Sequence, residues 1–166
     1  MEINIVDNFL EKEEFNIIKN TLIGVDFPWF YNENFAFDNI RLCSDLNNQC
    51  FTHMFYKDNV PHSPYFDLLN PILEKINLKS LVRIKANLSI KSESVQKYGY
   101  HVDYLDFGCY TSILYLNTND GKTFFEDGNE VESVENRFVT FSSNIFHSGS
   151  TCSNSKYRSL INFNYF

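Results

Sequence analysis

The chain has 166 residues, of which 43% are hydrophobic and 17% aromatic, including 17 Phe and 10 Tyr. This length suits one domain with a single substantial core, and abundant aromatic side chains favour strands over helices. With 21 acidic against 14 basic residues the formal net charge is -7, and no nucleic-acid partner is expected, because phosphate backbones attract basic surfaces.

The N-terminal segment MEINIVDNFLEKEEF is rich in acidic residues and fits neither a signal peptide nor a transit peptide. No stretch approaches the roughly 18 apolar residues of a membrane span. We therefore expect a cytoplasmic protein with no membrane partner. The 4 cysteines contain no CxxC pair, and in a reducing compartment we expect free thiols.

The N-terminal half combines helices and strands. A short strand at INIV precedes an amphipathic helix whose apolar stripe consists of Phe15, Ile18 and Leu22. The aromatic stretch VDFPWFYNENFAF contains a proline and predicts loop and strand. A second, shorter helix is predicted in HSPYFDLLNPILEKIN, and a strand at LVRIKANLSI.

From residue 96 onward, short β-rich runs alternate with turn-forming segments such as NTNDG and EDGNE. Early helices followed by late strands predict a mainly β chain of the α+β type, in which helices cover one outer face of a β-sandwich or barrel. The predicted strands of this half are QKYGYHV, YTSILYL, KTFFE, RFVTFS and YRSLINFNYF.

The last predicted strand has two chemically different faces. The period of two places Arg158, Leu160, Asn162 and Asn164 on one face. The apolar alternate residues would pack under the N-terminal helices, so the Arg158 face would look into a polar cavity. A buried, unpaired guanidinium is very unfavourable, and this face therefore calls for an acidic ligand or side chain.

The motif HVD predicts part of a metal site. Residues i and i+2 of a strand project to the same side, so His101 and Asp103 can converge on one ion. His147 follows the apolar run FVTF and is a candidate third ligand, at the end of a strand that could pair close to the first. Two histidines and one carboxylate, with other positions open, form the facial triad of non-haem Fe(II) sites. The motif HxD alone also arises often by chance. The two other histidines, His53 and His62, are expected to be exposed imidazoles.

The segments YHVD, TSILYLN, GKTFFEDG, FVTFSSNIFHSG and RSLINFNYF together resemble the Fe(II)- and 2-oxoglutarate-dependent oxygenases, particularly the small prolyl-4-hydroxylase-like members of bacteria and viruses. The resemblance runs from about Leu81 to Phe166. It implies a double-stranded β-helix, or jelly-roll barrel, with the N-terminal helices packed on the outer face of the major sheet. We expect one domain over residues 1–166, with a supporting region of about 1–80 and a jelly-roll core of about 81–166.

The same resemblance implies roles for individual residues. His101, Asp103 and His147 would be the catalytic iron ligands. Arg158, which lies 11 positions after His147, would bind the far carboxylate of 2-oxoglutarate. Tyr115 would reach the same carboxylate, although a buried aromatic with a structural hydrogen bond is its alternative, and Tyr98 would line the pocket.

The implied activity is that of a dioxygenase that uses Fe(II), 2-oxoglutarate and O2, with ascorbate as a reductant, to hydroxylate a C–H bond. The expected substrate is a peptide, protein or free amino acid, with proline the leading residue. Asn164 stands where nucleic-acid demethylases of the superfamily carry a second arginine, which disfavours base repair. Two alternatives stay open: a cupin-like metal-binding protein or other metal-dependent enzyme on the same fold, and a noncatalytic interaction module.

Overall fold

The computed structural model describes residues 2–32, 50–105 and 108–166. Within these ranges the chain forms strands, two α-helices and one short 3₁₀ helix. In chain order these are β1 (Asn4–Val6), α1 (Lys12–Leu22), β2 (Phe30–Asn32), β3 (Cys50–Lys57), β4 (Val60–Pro61), the 3₁₀ helix (Phe66–Leu69), α2 (Asn70–Lys75), β5 (Leu81–Ile90), β6 (Tyr110–Tyr115), β7 (Lys122–Phe125), β8 (Glu130–Glu132), β9 (Phe138–Ser142), β10 (His147–Ser148) and β11 (Tyr157–Tyr165).

The strands form two antiparallel sheets. The larger sheet has the order β1-β9-β6-β11-β5-β3-β2, with β4 paired to β3, and the smaller has the order β10-β7-β8. One apolar cluster joins them, since it combines Phe125 and Val131 of the smaller sheet with Ile113, Phe141 and Leu160 of the larger one. The sheets therefore face each other and enclose the interior of the barrel.

The outer face of the larger sheet carries the helices, as predicted. Phe15, Ile18 and Leu22 of α1 are buried in the same cluster as Ile161 and Phe163 of β11. Helix α1 begins with Glu13 and Glu14 in its first turn and has Lys19 in its last, an arrangement that suits the helix dipole. The predicted alternation of β11 is thus confirmed, because its apolar residues pack towards the helices.

Strand β3 was not predicted from the sequence, and its position changes the interpretation of one histidine. It pairs with β5 from Phe51 to Tyr56 and so lies inside the larger sheet. His53 on this strand is only 4% exposed, so the expectation of an exposed imidazole is wrong for it. One ring nitrogen lies 2.7 Å from the Pro28 carbonyl and the other lies 2.7 Å from the Ser63 hydroxyl, which accounts for its burial. His62 is exposed, as expected.

The predicted strand QKYGYHV is also wrong as a continuous element. This segment pairs with the chain around β10 only through isolated bridges, Lys97 to Ser150 and His101 to His147. Lys97 and His101 are four positions apart, whereas their partners Ser150 and His147 are three positions apart. The first segment therefore has one extra residue, and the ladder is interrupted. Such bulges redirect side chains and are common beside functional sites.

The helices of the described residues include none that is long and apolar enough to cross a membrane. Cys50, Cys109 and Cys152 are buried free thiols, as expected, and Cys43 lies outside the described residues.

Candidate metal centre and adjoining anion pocket

Two histidines and one aspartate meet at a cavity between the sheets. His101, Asp103 and His147 each offer one ligand atom, and the three atoms lie within 4.8 Å of one another. The backbones hold this spacing, because His101 and His147 exchange two N–H to carbonyl hydrogen bonds of 2.9 Å and the Asp103 N–H donates to the Ser143 carbonyl at 3.1 Å. The structure therefore brings together the three predicted ligands, although they lie on an interrupted ladder.

The two imidazoles have nitrogens available for a ligand. Nδ1 of His147 lies 2.9 Å from the Ile145 carbonyl oxygen; since a carbonyl only accepts, this nitrogen carries the proton and leaves the Nε2 lone pair free. Nδ1 of His101 is buried and makes no hydrogen bond of good geometry, although the Gly99 backbone interacts with the ring and partly offsets the lowering of its pKa. The ring therefore has a nitrogen that a ligand can use.

Asp103 is held rigidly by three side chains. Arg83 Nη2 donates to Oδ1 at 2.8 Å, while Oδ2 accepts from the Thr111 hydroxyl at 2.7 Å and from Asn164 Nδ2 at 3.0 Å. Asn164 in turn accepts a 3.0 Å hydrogen bond from Arg83 Nε. The carboxylate consequently has one fixed orientation towards the two histidines.

Electrostatics favour the metal-binding protonation states of two ligands. Burial would raise the pKa of Asp103, but the charge of Arg83, with smaller contributions from the two histidines and the Thr111 hydrogen bond, outweighs it and holds that pKa well below its ordinary value. Burial, together with the neighbouring His147, lowers the pKa of His101 to about 4. Near neutral pH, Asp103 is therefore a carboxylate and His101 a neutral imidazole.

Arg158 lies in the same cavity as the triad. The cavity is lined by Lys85, His101, Asp103, Ile113, Thr123, His147, Gly149, Arg158, Leu160 and Asn162.

The Arg158 guanidinium has only neutral partners among the described residues. It is 4% exposed, and it donates to the Ser133 hydroxyl at 2.7 Å, the Thr123 hydroxyl at 3.2 Å and the Ser150 carbonyl at 3.5 Å. The ion pairs that the described residues form do not include it. A buried cation in this environment calls for an anionic ligand.

Two glycines leave room for the Arg158 side chain. A Cβ at Gly121 would lie 2.6 Å from Arg158 Cδ and 2.6 Å from the Thr151 carbonyl oxygen, and a Cβ at Gly149 would lie 3.4 Å from Arg158 Nη1. Only a residue without a side chain fits at position 121. The glycine of the GKT segment therefore leaves the space through which the Arg158 side chain reaches the cavity.

The two predicted tyrosines lie beside Arg158 and outside the cavity lining. The Tyr115 ring packs 5.5 Å from the guanidinium carbon, and its hydroxyl lies 2.7 Å from that of Thr123, which lines the cavity. The Tyr98 hydroxyl donates to Ser89 at 2.8 Å. Burial raises the pKa of both phenols, so both stay protonated donors at neutral pH.

Sequence reasoning missed Arg83 and Lys85, which approach the site from β5. The signal was present in LVRIKANLSI, where Arg83, Lys85, Asn87 and Ser89 alternate with apolar residues. Charged residues at alternate positions of a central strand indicate a polar interior. The partners Thr123 and Ser133 carried no comparable signal, because isolated hydroxyl side chains occur everywhere in a chain.

These residues fit a metal of the Fe(II) type and a carboxylate ligand. Two imidazoles and one carboxylate form a suitable donor set that leaves coordination positions open. A guanidinium matches a carboxylate through paired hydrogen bonds.

No protein-family model matches the chain, and no curated protein matches its sequence. Solved structures share its fold. A prolyl hydroxylase from Trichoplax adhaerens, in complex with a hypoxia-inducible factor peptide, is 14% identical with a TM-score of 0.67, over 99% of this chain and 83% of that one. An oxidoreductase of the 2OG-Fe(II) oxygenase family from Burkholderia pseudomallei is 13% identical with a TM-score of 0.64, over 98% and 84%. A Pseudomonas putida prolyl-4-hydroxylase is 16% identical with a TM-score of 0.59, over 99% and 92%. The chain thus has the jelly-roll fold of these oxygenases, which confirms the predicted fold class.

Proposed function

We propose that this chain is an Fe(II)- and 2-oxoglutarate-dependent dioxygenase that hydroxylates a C–H bond. The observation that carries the proposal is the shared cavity, in which a buried His-Asp-His cluster and a buried arginine with only neutral partners occur together. The metal cluster alone would also suit a zinc enzyme, and the buried arginine alone would also suit a different anion. Together they match a metal and a dicarboxylic cosubstrate bound side by side.

His101, Asp103 and His147 would hold the iron. When bound, Fe(II), 2-oxoglutarate and O2 supply the oxidising chemistry, with succinate and CO2 as co-products. The contribution of the chain is orientation: the Ile145 carbonyl fixes the His147 tautomer, and Arg83 fixes the Asp103 carboxylate. Because Asp103 would occupy the coordination position that halogenating relatives leave for chloride, hydroxylation is favoured over halogenation.

Arg158 would bind the far carboxylate of 2-oxoglutarate. Its guanidinium already lies beside the Thr123 hydroxyl at 3.2 Å, so a carboxylate there would receive both charge and a hydroxyl hydrogen bond. Tyr115 supports Thr123 and the guanidinium from behind. The cavity walls beside it include Ile113 and Leu160, whose apolar side chains limit the access of water.

The substrate we propose is a peptidyl or free amino acid, with proline the leading residue, in a cytoplasmic setting. The structural similarity to a prolyl hydroxylase in complex with a peptide supports this class, as does the net charge of -7, which disfavours a nucleic-acid substrate. Asn164 contacts Asp103; it therefore serves the metal ligand at the position where demethylases carry their second arginine.

Anaerobic addition of 2-oxoglutarate to the Fe(II)-loaded protein tests this function. We expect the visible charge-transfer absorbance of an iron and keto-acid pair, and slow succinate release when O2 and ascorbate are added. Arg158→Met should weaken 2-oxoglutarate binding by roughly 100-fold, since charged hydrogen bonds contribute about 1.5–3 kcal/mol each. Arg137→Met is the matched control, because Arg137 pairs with Asp7 at the surface. A wild-type protein that gives neither absorbance nor succinate would overturn the proposal.

A further inference from the structure

Asn162 lies on the inner face of β11, between two side chains whose partners are already described. On one side, the Arg158 guanidinium donates to neutral hydroxyl groups. On the other side, Asn164 Nδ2 donates to the Asp103 carboxylate at 3.0 Å. The Asn162 side chain lines the same cavity as the metal ligands. It is thus a polar group of the proposed site to which the proposed function gives no role.

The amide oxygen of Asn162 has no donor. Oδ1 is buried, and no described residue donates a hydrogen bond to it. The register places Asn162 opposite Ile113 of β6 and Lys85 of β5. Ile113 is apolar, and the Lys85 ammonium makes no hydrogen bond to this oxygen. Buried amide oxygens of native proteins accept hydrogen bonds from protein, water or ligand, so Oδ1 calls for an N–H or O–H group.

Neighbouring donors of the cavity wall already have acceptors. Nδ1 of His147 donates to the Ile145 carbonyl at 2.9 Å. The Thr123 hydroxyl is paired with the Tyr115 hydroxyl at 2.7 Å, and the Arg158 guanidinium donates to groups of the wall behind it. A donor for the amide oxygen therefore has to come from a molecule that enters the cavity.

The keto acid does not supply this donor. At neutral pH the two carboxylates and the keto oxygen of 2-oxoglutarate only accept hydrogen bonds. Nδ2 of Asn162 could donate to one of them, but Oδ1 would still lack a partner. O2 has no hydrogen to donate either. Of the reactants that the proposed function brings to this cavity, the substrate is the one that can carry an N–H group.

We propose that Asn162 is a specificity-determining residue whose Oδ1 accepts a hydrogen bond from the α-nitrogen of the substrate. This inference rests on the proposed function and narrows its substrate class. Free proline carries N–H groups on that nitrogen, whereas proline inside a peptide is a tertiary amide and has none. The substrate is accordingly free proline, or another amino-acid residue, free or peptidyl, that keeps an N–H. Peptidyl proline is excluded.

Calorimetric titration of the Mn(II)-loaded protein, saturated with 2-oxoglutarate, tests this role without turnover. The probes are the free L-amino acids and their N-acetyl methylamides, which represent free and peptidyl residues. Each probe is compared with its counterpart fully methylated on the α-nitrogen, such as L-proline with its N,N-dimethyl betaine. We expect at least one N–H probe to bind about 5-fold or more tightly than its counterpart, because methylation leaves the buried amide oxygen without a donor.

Substitutions of Asn162 separate the hydrogen bond from the steric effect of the added methyl groups. Asn162→Leu keeps a side chain of similar shape without the acceptor and should remove most of the preference for the N–H probe. Asn162→Asp keeps an acceptor and should retain the preference. Asn20→Leu, at an exposed position of α1, is the matched control and should also retain it. A thermal melt of each variant verifies that it is folded.

Titration with 2-oxoglutarate is the first step and separates the two proposals. A wild-type protein that binds no 2-oxoglutarate overturns the proposed function and, with it, this inference. Normal 2-oxoglutarate binding overturns the role of Asn162 alone if no probe binds, if no N–H probe is preferred, or if the preference survives Asn162→Leu; water then satisfies Oδ1. If Asn162→Leu weakens 2-oxoglutarate itself by about 10-fold or more, Asn162 binds the keto acid and the substrate assignment is wrong.

Discussion

Strands β5 and β11 present opposite chemistry on their two faces. On the outer face, Ile84, Ala86, Ile161 and Phe163 are 0% exposed and pack in the cluster that includes the helices. The inner face of the same two strands carries buried or half-buried cations and amides. Its polar residues are Arg83, Lys85, Asn87, Arg158, Asn162 and Asn164.

The difference shows which face stabilises the fold. Removing apolar surface from water contributes about 25 cal/mol per Å², whereas burying cations and unsatisfied amides opposes folding. The outer face therefore provides stability, and the inner face is the one that we propose for binding. Substitutions on the two faces should separate these effects cleanly.

The largest expected effect belongs to the metal ligands. His101→Ala should lower Mn(II) or Fe(II) affinity on the order of 1000-fold and abolish turnover, because a ligand is lost outright. The Nδ1 atom of His101 makes no hydrogen bond of good geometry in the fold, so the midpoint of thermal unfolding of the metal-free protein should change by only a few degrees. Metal titration and a thermal melt check both parts. Unchanged metal affinity would remove His101 from the site.

On the outer face, Phe163→Ala should reduce the free energy of unfolding by about 3–5 kcal/mol, since Phe163 is fully buried and its removal leaves a cavity. The folded fraction should keep its metal affinity. Urea denaturation measures the loss, with Phe30→Ala as the control at a 62% exposed position, where about 0.5 kcal/mol or less is expected. If both variants lost a comparable free energy of unfolding, the assignment of stability to the outer face would be contradicted.

Arg83→Met should weaken metal binding by roughly 10- to 100-fold, as the loss of groups that orient a ligand commonly does. Asp103 would keep its hydrogen bonds to Thr111 and Asn164 but lose its cationic partner. Arg83→Lys should restore part of the affinity, and the surface variant Arg137→Met should retain all of it. If Arg83→Met binds metal normally, Thr111 and Asn164 alone orient the carboxylate.

The smallest effect is expected at the glycines around Arg158. Gly121→Ala would place a Cβ against a backbone carbonyl, so the chain and Arg158 must shift; we expect roughly a 10-fold loss of 2-oxoglutarate affinity, equal to about 1.4 kcal/mol. Gly149→Ala, with its wider 3.4 Å approach, should lose less. Calorimetry on Mn(II)-loaded protein measures both, and the reverse order would contradict the packing described here.

Local patterns in the sequence predict much of the C-terminal half. The alternation in β11 assigns its inner and outer faces correctly, and the apolar run before His147 places this residue beside His101, as the structure shows. Both predictions depend on short-range periodicity and on the assumption that the strands close a single barrel. The roles of the site residues stay predictions.

Long-range pairing explains what could not be predicted. Strand β3 lies in a stretch with no recognised pattern, and its place beside β5 decides the burial of His53. Asp103 accepts a hydrogen bond from Arg83, which lies 20 positions earlier in the chain on β5. No local motif encodes this contact. The interrupted ladder at His101 depends on one extra residue relative to the partner segment, which is visible only after the two segments are aligned in space.

The most direct measurement is an anomalous diffraction map of crystals grown with Mn(II) and 2-oxoglutarate under anaerobic conditions. The account predicts one manganese peak bound by His101, Asp103 and His147, with a carboxylate of the keto acid on the Arg158 guanidinium in the same cavity. A manganese peak elsewhere, or a keto acid that leaves Arg158 without a carboxylate, would contradict it.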